Sequence, residues 1–246
     1  MAELKSYSVW DAPTRWFHWL NALSVIALGV VGFIILKEGA LGVSTQGKIT
    51  LKTVHTWIGY VFVLNLLWRF VWAFLGNRYA RWGAVLPGGT GYLRTVRNYA
   101  AAFIAGNPEQ YLGHNPIGRL GVAALFVLIV IQGVTGLVLA GTDLFYPPIG
   151  FWIAKWVAAP GIDPATLVPY ARDMYDSVAY ENMRAMRKPF VTVHLYSFYV
   201  LVVVVVLHVT AVVLTELREG GSIISAMFTG RKILAQKPAD DATTRS

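Results

Sequence analysis

Four stretches of the chain run for about twenty residues or more with almost no charge, Phe17 to Leu36, Val54 to Leu75, Leu120 to Ala140 and Val191 to Leu214. A helix needs about 20 apolar residues to cross roughly 30 Å of hydrocarbon. The pattern predicts an all-α, polytopic membrane protein, a four-transmembrane-helix bundle. The first stretch lacks a small-residue cleavage site and three more follow it, so it is expected to remain as a helix rather than be removed as a signal. Pro116 after Asn115 suits the first turn of the third span, and Pro189 marks the start of the fourth. Between the second and third spans, Leu93, Val96, Ala100, Phe103 and Ile104 fall on one face and Arg94 and Arg97 on the other. That predicts a short interfacial helix over 90–106. The loop from Gly141 to Lys188 carries Phe151, Trp152, Ile153, Trp156 and Val157 between prolines, too interrupted to span and expected to lie in the membrane interface. Residues 1–232 are expected to form one transmembrane domain and 233–246 a disordered tail.

Composition supports the same class. The chain is 56% hydrophobic and 14% charged, where soluble proteins average about 45–50% and about 25%, which excludes a single water-soluble domain. There is no cysteine, so disulfides, thiolate metal sites, iron–sulfur clusters and thioether-linked haem are excluded as internal chemistry. Redox chemistry, if any, falls to histidine. The net charge of +8 sits in the loops between spans, where it orients the chain and meets anionic lipid, and it implies no nucleic-acid partner. Lys and Arg are more numerous on the side holding both termini and the loop after the second span. The positive-inside rule therefore expects both termini in the cytoplasm.

Four of the five histidines fall within or at the edge of a span: His18, His55, His194 and His208. Ionisable groups at membrane depth are costly and point to function. His194 and His208 are fourteen residues apart, close to four helical turns, which puts them on nearly one face about 21 Å apart. With alternating span directions, His55 matches His194 in depth and His18 matches His208. Two facing imidazole pairs at two depths are what two six-coordinate b-type haems require, and no thiolate is needed. A zinc or copper site would gather three or more ligands at one depth. A histidine-based transporter or proton channel remains the reading from a different class. His114 has no depth-matched partner and is expected as a helix-start residue with a surface imidazole, or for a role beside the inner haem or in proton transfer to quinone. Arg69 falls near the level of His18 and His208, where it either snorkels to lipid phosphate or pairs with a haem propionate. Gly29, Gly32, Gly59, Gly133 and Gly136 allow close helix packing or leave room for a porphyrin face. Trp16, Trp19, Trp57, Trp72 and Trp82 are expected as interface anchors.

These residues resemble a known family. Arg15-Trp16-Phe17-His18-Trp19-Leu20, His55 with Arg69, Gly76-Asn77-Arg78-Tyr79-Ala80-Arg81, Gly113-His114-Asn115-Pro116 and the pair His194 and His208 are similar to the b-type cytochrome subunit of membrane-bound nickel–iron hydrogenases, within the bacterial cytochrome b561-like group. Leu195 and Phe198 stand where members usually carry a basic residue and a tryptophan. The resemblance implies a bacterial inner-membrane electron-transfer and anchor subunit rather than a stand-alone enzyme. It implies two haem b groups, with His18, His55, His194 and His208 as iron ligands and quinone reduced nearer the cytoplasm. It also implies an extracytoplasmic hydrogenase, of small and large subunits, as electron donor; a c-type cytochrome or another dehydrogenase in that place remains open. The loop from Gly141 to Lys188, with Arg184, Arg187 and Lys188, is expected to cap the outer haem and to form the docking face.

Overall fold

Each of the four long helices begins on a side chain that caps it. Asp11 Oδ1 accepts from the Thr14 amide at 3.0 Å, Ser44 Oγ from Gly47 at 3.1 Å, Asn115 Oδ1 from Gly118 at 2.7 Å and Asp176 Oδ1 from Ala179 at 2.8 Å. Each bond satisfies an amide that the first helical turn leaves without a partner. The computed structural model describes residues 4–219 and 222–241. Its elements in chain order are β1 (Lys5–Ser8), α1 (Ala12–Leu36), α2 (Thr45–Leu75), α3 (Trp82–Val85), α4 (Tyr92–Ile104), α5 (Pro116–Leu144), α6 (Gly150–Val157), α7 (Ser177–Glu219), α8 (Ile223–Thr229) and β2 (Arg231–Leu234).

Helices α1, α2, α5 and α7 are long and apolar enough to cross a membrane. Their surfaces fit lipid rather than water. Leu23, Ile26, Val30 and Phe33 form one stripe along α1 at three- and four-residue spacing, and each is more than half exposed. Such a stripe would be a liability in water but is the solvated face of a helix in hydrocarbon. The interfacial helix expected over 90–106 is α4, with Leu93 and Ile104 exposed.

The described residues group into two compact units, and each long helix contributes a segment to both. One unit comprises the residues up to Leu20, Asn65–Val127 and those from Leu201 onward; the other comprises Asn21–Leu64 and Leu128–Val200. In the first unit β1 pairs antiparallel with β2, Lys5 opposite Leu234 and Ser8 opposite Arg231. Strands this short carry too little alternation to announce themselves in a sequence. Val9, Trp10, Leu112, Ala226 and Leu234 pack as one apolar cluster beside the sheet. The tail expected to be disordered differs over 233–241. Asp240 accepts from the Leu112 and Gly113 amides at 2.7 and 2.8 Å, and the Ala239 amide donates to Gln110 O at 2.9 Å. The Asp240 carboxylate and the backbone of Ala239 tie this segment to a distant loop, and buried Leu234 and Pro238 anchor it further. The rest of the expected tail, 242–246, lies outside the described residues.

In the second unit α5 runs to Leu144 and α7 begins at Ser177, so the connection between them is shorter than Gly141 to Lys188. Pro189 lies inside α7 rather than at its start. The helix continues N-terminal to the proline because Met183 is buried against Ile153, Val157 and Tyr175. That burial offsets the one backbone bond a proline removes. Phe151, Trp152 and Trp156 remain exposed on α6 and its first turn, as an interfacial segment requires.

Candidate functional site

In the second unit, α2 presents His55 and α7 presents His194 with their ring centroids 6.3 Å apart and their planes at 72°. Two glycines make this approach possible. A Cβ at Gly32 on α1 would come within 3.3 Å of His55 Cε1, and one at Gly136 on α5 within 3.5 Å of His194 Cε1. Gly29 is used differently, since a Cβ there would meet the Phe198 ring at 3.5 Å.

The hydrogen bonds around His194 decide which nitrogen is free. Thr135 Oγ1 donates its single proton to Ile131 O at 2.6 Å. With its proton placed there, the hydroxyl accepts in its 2.8 Å contact with His194 Nδ1, the assignment that puts the ring proton on Nδ1. The Nε2 lone pair is left for a metal, and Thr135 is the outer partner that metal-bound histidines commonly have. Gln132 Nε2 donates to His194 O at 2.9 Å and to Ser197 Oγ at 2.8 Å, fastening α5 to α7 at this level. His55 Nδ1 is enclosed and has no hydrogen-bond partner.

These residues fit a metal held between two imidazoles. A metal–imidazole bond of about 2.0–2.1 Å on each side puts the ring centres about 6 Å apart, close to the 6.3 Å observed. Among the described residues no group of three or more His, Asp or Glu converges as a closed zinc site needs. At Gly32 and Gly136 no side chain stands against the imidazole Cε1 edges, which would leave room there for a flat macrocycle around the metal.

The first unit holds the other histidines. His18 on α1 and His208 on α7 lie close enough for their charges to interact, and His114 interacts with His208 as well. His114 is not at the surface, contrary to the simplest expectation. Its Nδ1 is enclosed without a partner, and the Trp10 ring centre is 5.0 Å away. Burial, reinforced by Lys232 and Arg69, pushes this imidazole down to about 3, so it is neutral at pH 7. His18 Nδ1 is likewise enclosed and unpartnered.

Arg69 does not snorkel to lipid. It is 3% exposed, and its guanidinium lies 5.5 to 5.8 Å from the ring centres of Phe17, Trp82 and Phe126. Its Nη2 donates to Ala80 O at 2.8 Å, while Nη1 is enclosed without an acceptor. An unpaired buried donor on a cation fits an anionic group beside it, such as a propionate. The expected tryptophan belt also divides. Trp16 and Trp57 are exposed, whereas Trp72 Nε1 donates to Asp11, Trp19 Nε1 donates to Met227 O and Trp82 packs on Phe70 and Phe126.

A polar group missed in the sequence lies beside His55 and His194. Lys52 Nζ bonds Asp143 Oδ2 and Tyr170 Oη, both at 2.6 Å, and Arg187 Nη2 bonds Asp143 Oδ1 at 2.7 Å. Lys52, three residues before His55, was countable as a span-edge cation, and its place on the face of His55 was the signal available.

Residues 9–230 match the family described as "Prokaryotic cytochrome b561". Among curated proteins, the "Probable Ni/Fe-hydrogenase B-type cytochrome subunit" of Azotobacter vinelandii is 29% identical over 94% of this chain and 90% of its own length. The protein of the same description from Rhizobium leguminosarum bv. viciae is 26% identical over 96% and 92%. The "Probable Ni/Fe-hydrogenase 1 B-type cytochrome subunit" of Escherichia coli K12 is 34% identical over 54% of this chain and 60% of that one. No solved structure matches. With paired imidazoles in an all-α membrane fold and a family match over nearly the whole chain, the chain belongs to the prokaryotic cytochrome b561 family, and is a membrane b-type cytochrome of electron transport with haem b as its group.

Proposed function

We propose that this chain is a di-haem electron carrier and membrane anchor that takes electrons from an extracytoplasmic nickel–iron hydrogenase and delivers them to quinone. The observation that carries the reading is the facing of His55 and His194 at 6.3 Å between Gly32 and Gly136. His18 and His208 would hold the second haem, with Arg69 on its propionate. Haem b in these sites supplies one-electron transfer. The chain's own residues fix the imidazoles, through Thr135 for His194, and exclude water with the long helices. The donor is assigned from the names of the similar proteins, and quinone from the family resemblance. Residence in a bacterial inner membrane with both termini in the cytoplasm rests on that resemblance and on the Lys and Arg distribution.

The test is the dithionite-reduced visible spectrum and haem content of the purified chain and four single alanine variants. His55→Ala and His194→Ala should remove one and the same low-spin species, and His18→Ala and His208→Ala the other. Loss of a single shared species in His55→Ala and His208→Ala would overturn the pairing. Recovery of a two-subunit nickel–iron enzyme with the tagged chain from native membranes supports the donor; a different oxidoreductase in its place overturns it.

A further inference from the structure

Within the same unit as the His55 and His194 pair lies a cavity of about 280 Å³ whose wall is rich in cations. Lys52, Arg172, Arg184 and Arg187 line it together with Asp143 and Tyr170. Lys52, Asp143 and Arg187 are largely buried, with side chains 18%, 15% and 24% exposed, whereas Arg172 and Arg184 stand at the mouth, where each approaches Glu181. Inside the cavity one carboxylate therefore serves two cations, which leaves a positive charge in surplus where water is scarce. A surplus buried charge is costly unless an opposite charge arrives to pair with it. Arg187 shows the missing partner directly: its Nη2 bonds both oxygens of Asp143, at 2.7 and 2.9 Å, while its Nε is enclosed with no acceptor. The backbone of Tyr170, whose hydroxyl bonds Lys52, is held at φ 71. That conformation is rare for a bulky residue and is found where a side chain must be aimed.

The position of the cavity indicates what it accepts. Lys52 is one turn before His55 on α2, Arg187 two turns before His194 on α7, and Asp143 two turns after Gly136 on α5. Three of the four helices that shape the imidazole pair thus also build the cationic wall. Haem b is an apolar macrocycle with two carboxylates on one edge, so its edge needs cations next to an otherwise apolar slot. We infer that the cavity lined by Lys52, Tyr170 and Arg187 receives the propionate carboxylates of the haem held by His55 and His194, with Arg172 and Arg184 screening its mouth. This assignment rests on the proposed ligand pair. It also reassigns Arg187, expected on a docking face, to an inward role.

The experiment uses the full-length chain. Apoprotein from a haem-deficient host is titrated with haem b and with haem b dimethyl ester, whose carboxylates carry no charge. The parent should bind the ester at least tenfold more weakly at the site that His194→Ala abolishes, and Arg187→Gln and Lys52→Gln should lose most of that preference. On the holoprotein as purified, Arg187→Gln should also make reduction of the same species harder, because a cation beside it has gone. The expected change is on the order of tenfold in the reduced-to-oxidised ratio, about 59 mV for one electron. Equal binding of haem and ester by the parent, or a potential unmoved by Arg187→Gln, would overturn the assignment and leave the cluster as a tie between helices. If His194→Ala removes no species, the ligand pair itself fails, a result distinct from either. Should the variants not fold, the parent's preference for haem over its ester still decides the matter.

Discussion

Asp11 performs two tasks with its two oxygens. Oδ1 caps α1, and Oδ2 accepts from Trp72 Nε1 at 3.0 Å and from the Asn77 amide at 3.2 Å. Burial pushes this carboxyl up, but the hydrogen bonds from Thr14, Asn77 and Trp72 outweigh it and hold the group below the usual aspartate value. A carboxylate depressed in the folded state contributes its stability above the unfolded pKa and loses it as pH falls through the folded one. Asp11→Asn keeps an oxygen for the cap but turns an amide group toward two donors, so it is predicted to cost about 1–3 kcal/mol. A thermal melt at neutral pH should show the lower midpoint, and below the carboxylate range the gap to the parent should narrow. A gap that stays constant would show that the charge of Asp11 is not what matters. The histidines were visible in the sequence because an imidazole stands out in an apolar span. Thr135 was not, since a threonine in such a helix ordinarily bonds its own backbone, and only the approach of α7 brings His194 to it.

At the scale of elements, α7 is where packing overrode the local signal. Proline at 189 favours a helix start, yet Met183, 2% exposed, is drawn into the cluster of Ile153, Val157 and Tyr175. The helix therefore begins three turns earlier, on the Asp176 cap. Met183→Ala is predicted to cost about 2–5 kcal/mol through lost burial and the cavity left behind. Amide exchange over 145–183 should rise in that variant, while the haem species removed by His208→Ala persists. Unchanged exchange there would mean that Met183 does not hold the cap. The membrane helices themselves were legible, because hydrocarbon thickness imposes a length and a composition that no soluble helix needs. Asn115-Pro116 marked the start of α5, but the other ends were not legible, because caps such as Ser44 and Asp176 are ordinary polar residues until the amide they accept from is known.

For the whole molecule, the β1 and β2 pairing brings the two described ends of the chain together, so both must lie on one side of the membrane. In the topology we propose from the charge bias, that side is the cytoplasm. Alkaline phosphatase fused after Gly161 should accordingly be active, and the same enzyme fused after Asp241 inactive; activity at Asp241 would invert the topology. The chain by itself determined the all-α membrane class, the four spans and the four histidines within them, because each ionisable residue in hydrocarbon is conspicuous and helical spacing fixes which can share a face. Tertiary structure alone decided that His194 Nδ1 meets Thr135, that Arg69 turns inward among Phe17, Trp82 and Phe126, and that Lys52 and Arg187 share Asp143 beside a cavity. Those outcomes depend on residues far apart in the chain meeting at distances set by Gly32, Gly136 and the capped helix starts. No periodicity records such meetings, since each is the product of several helices packing at once.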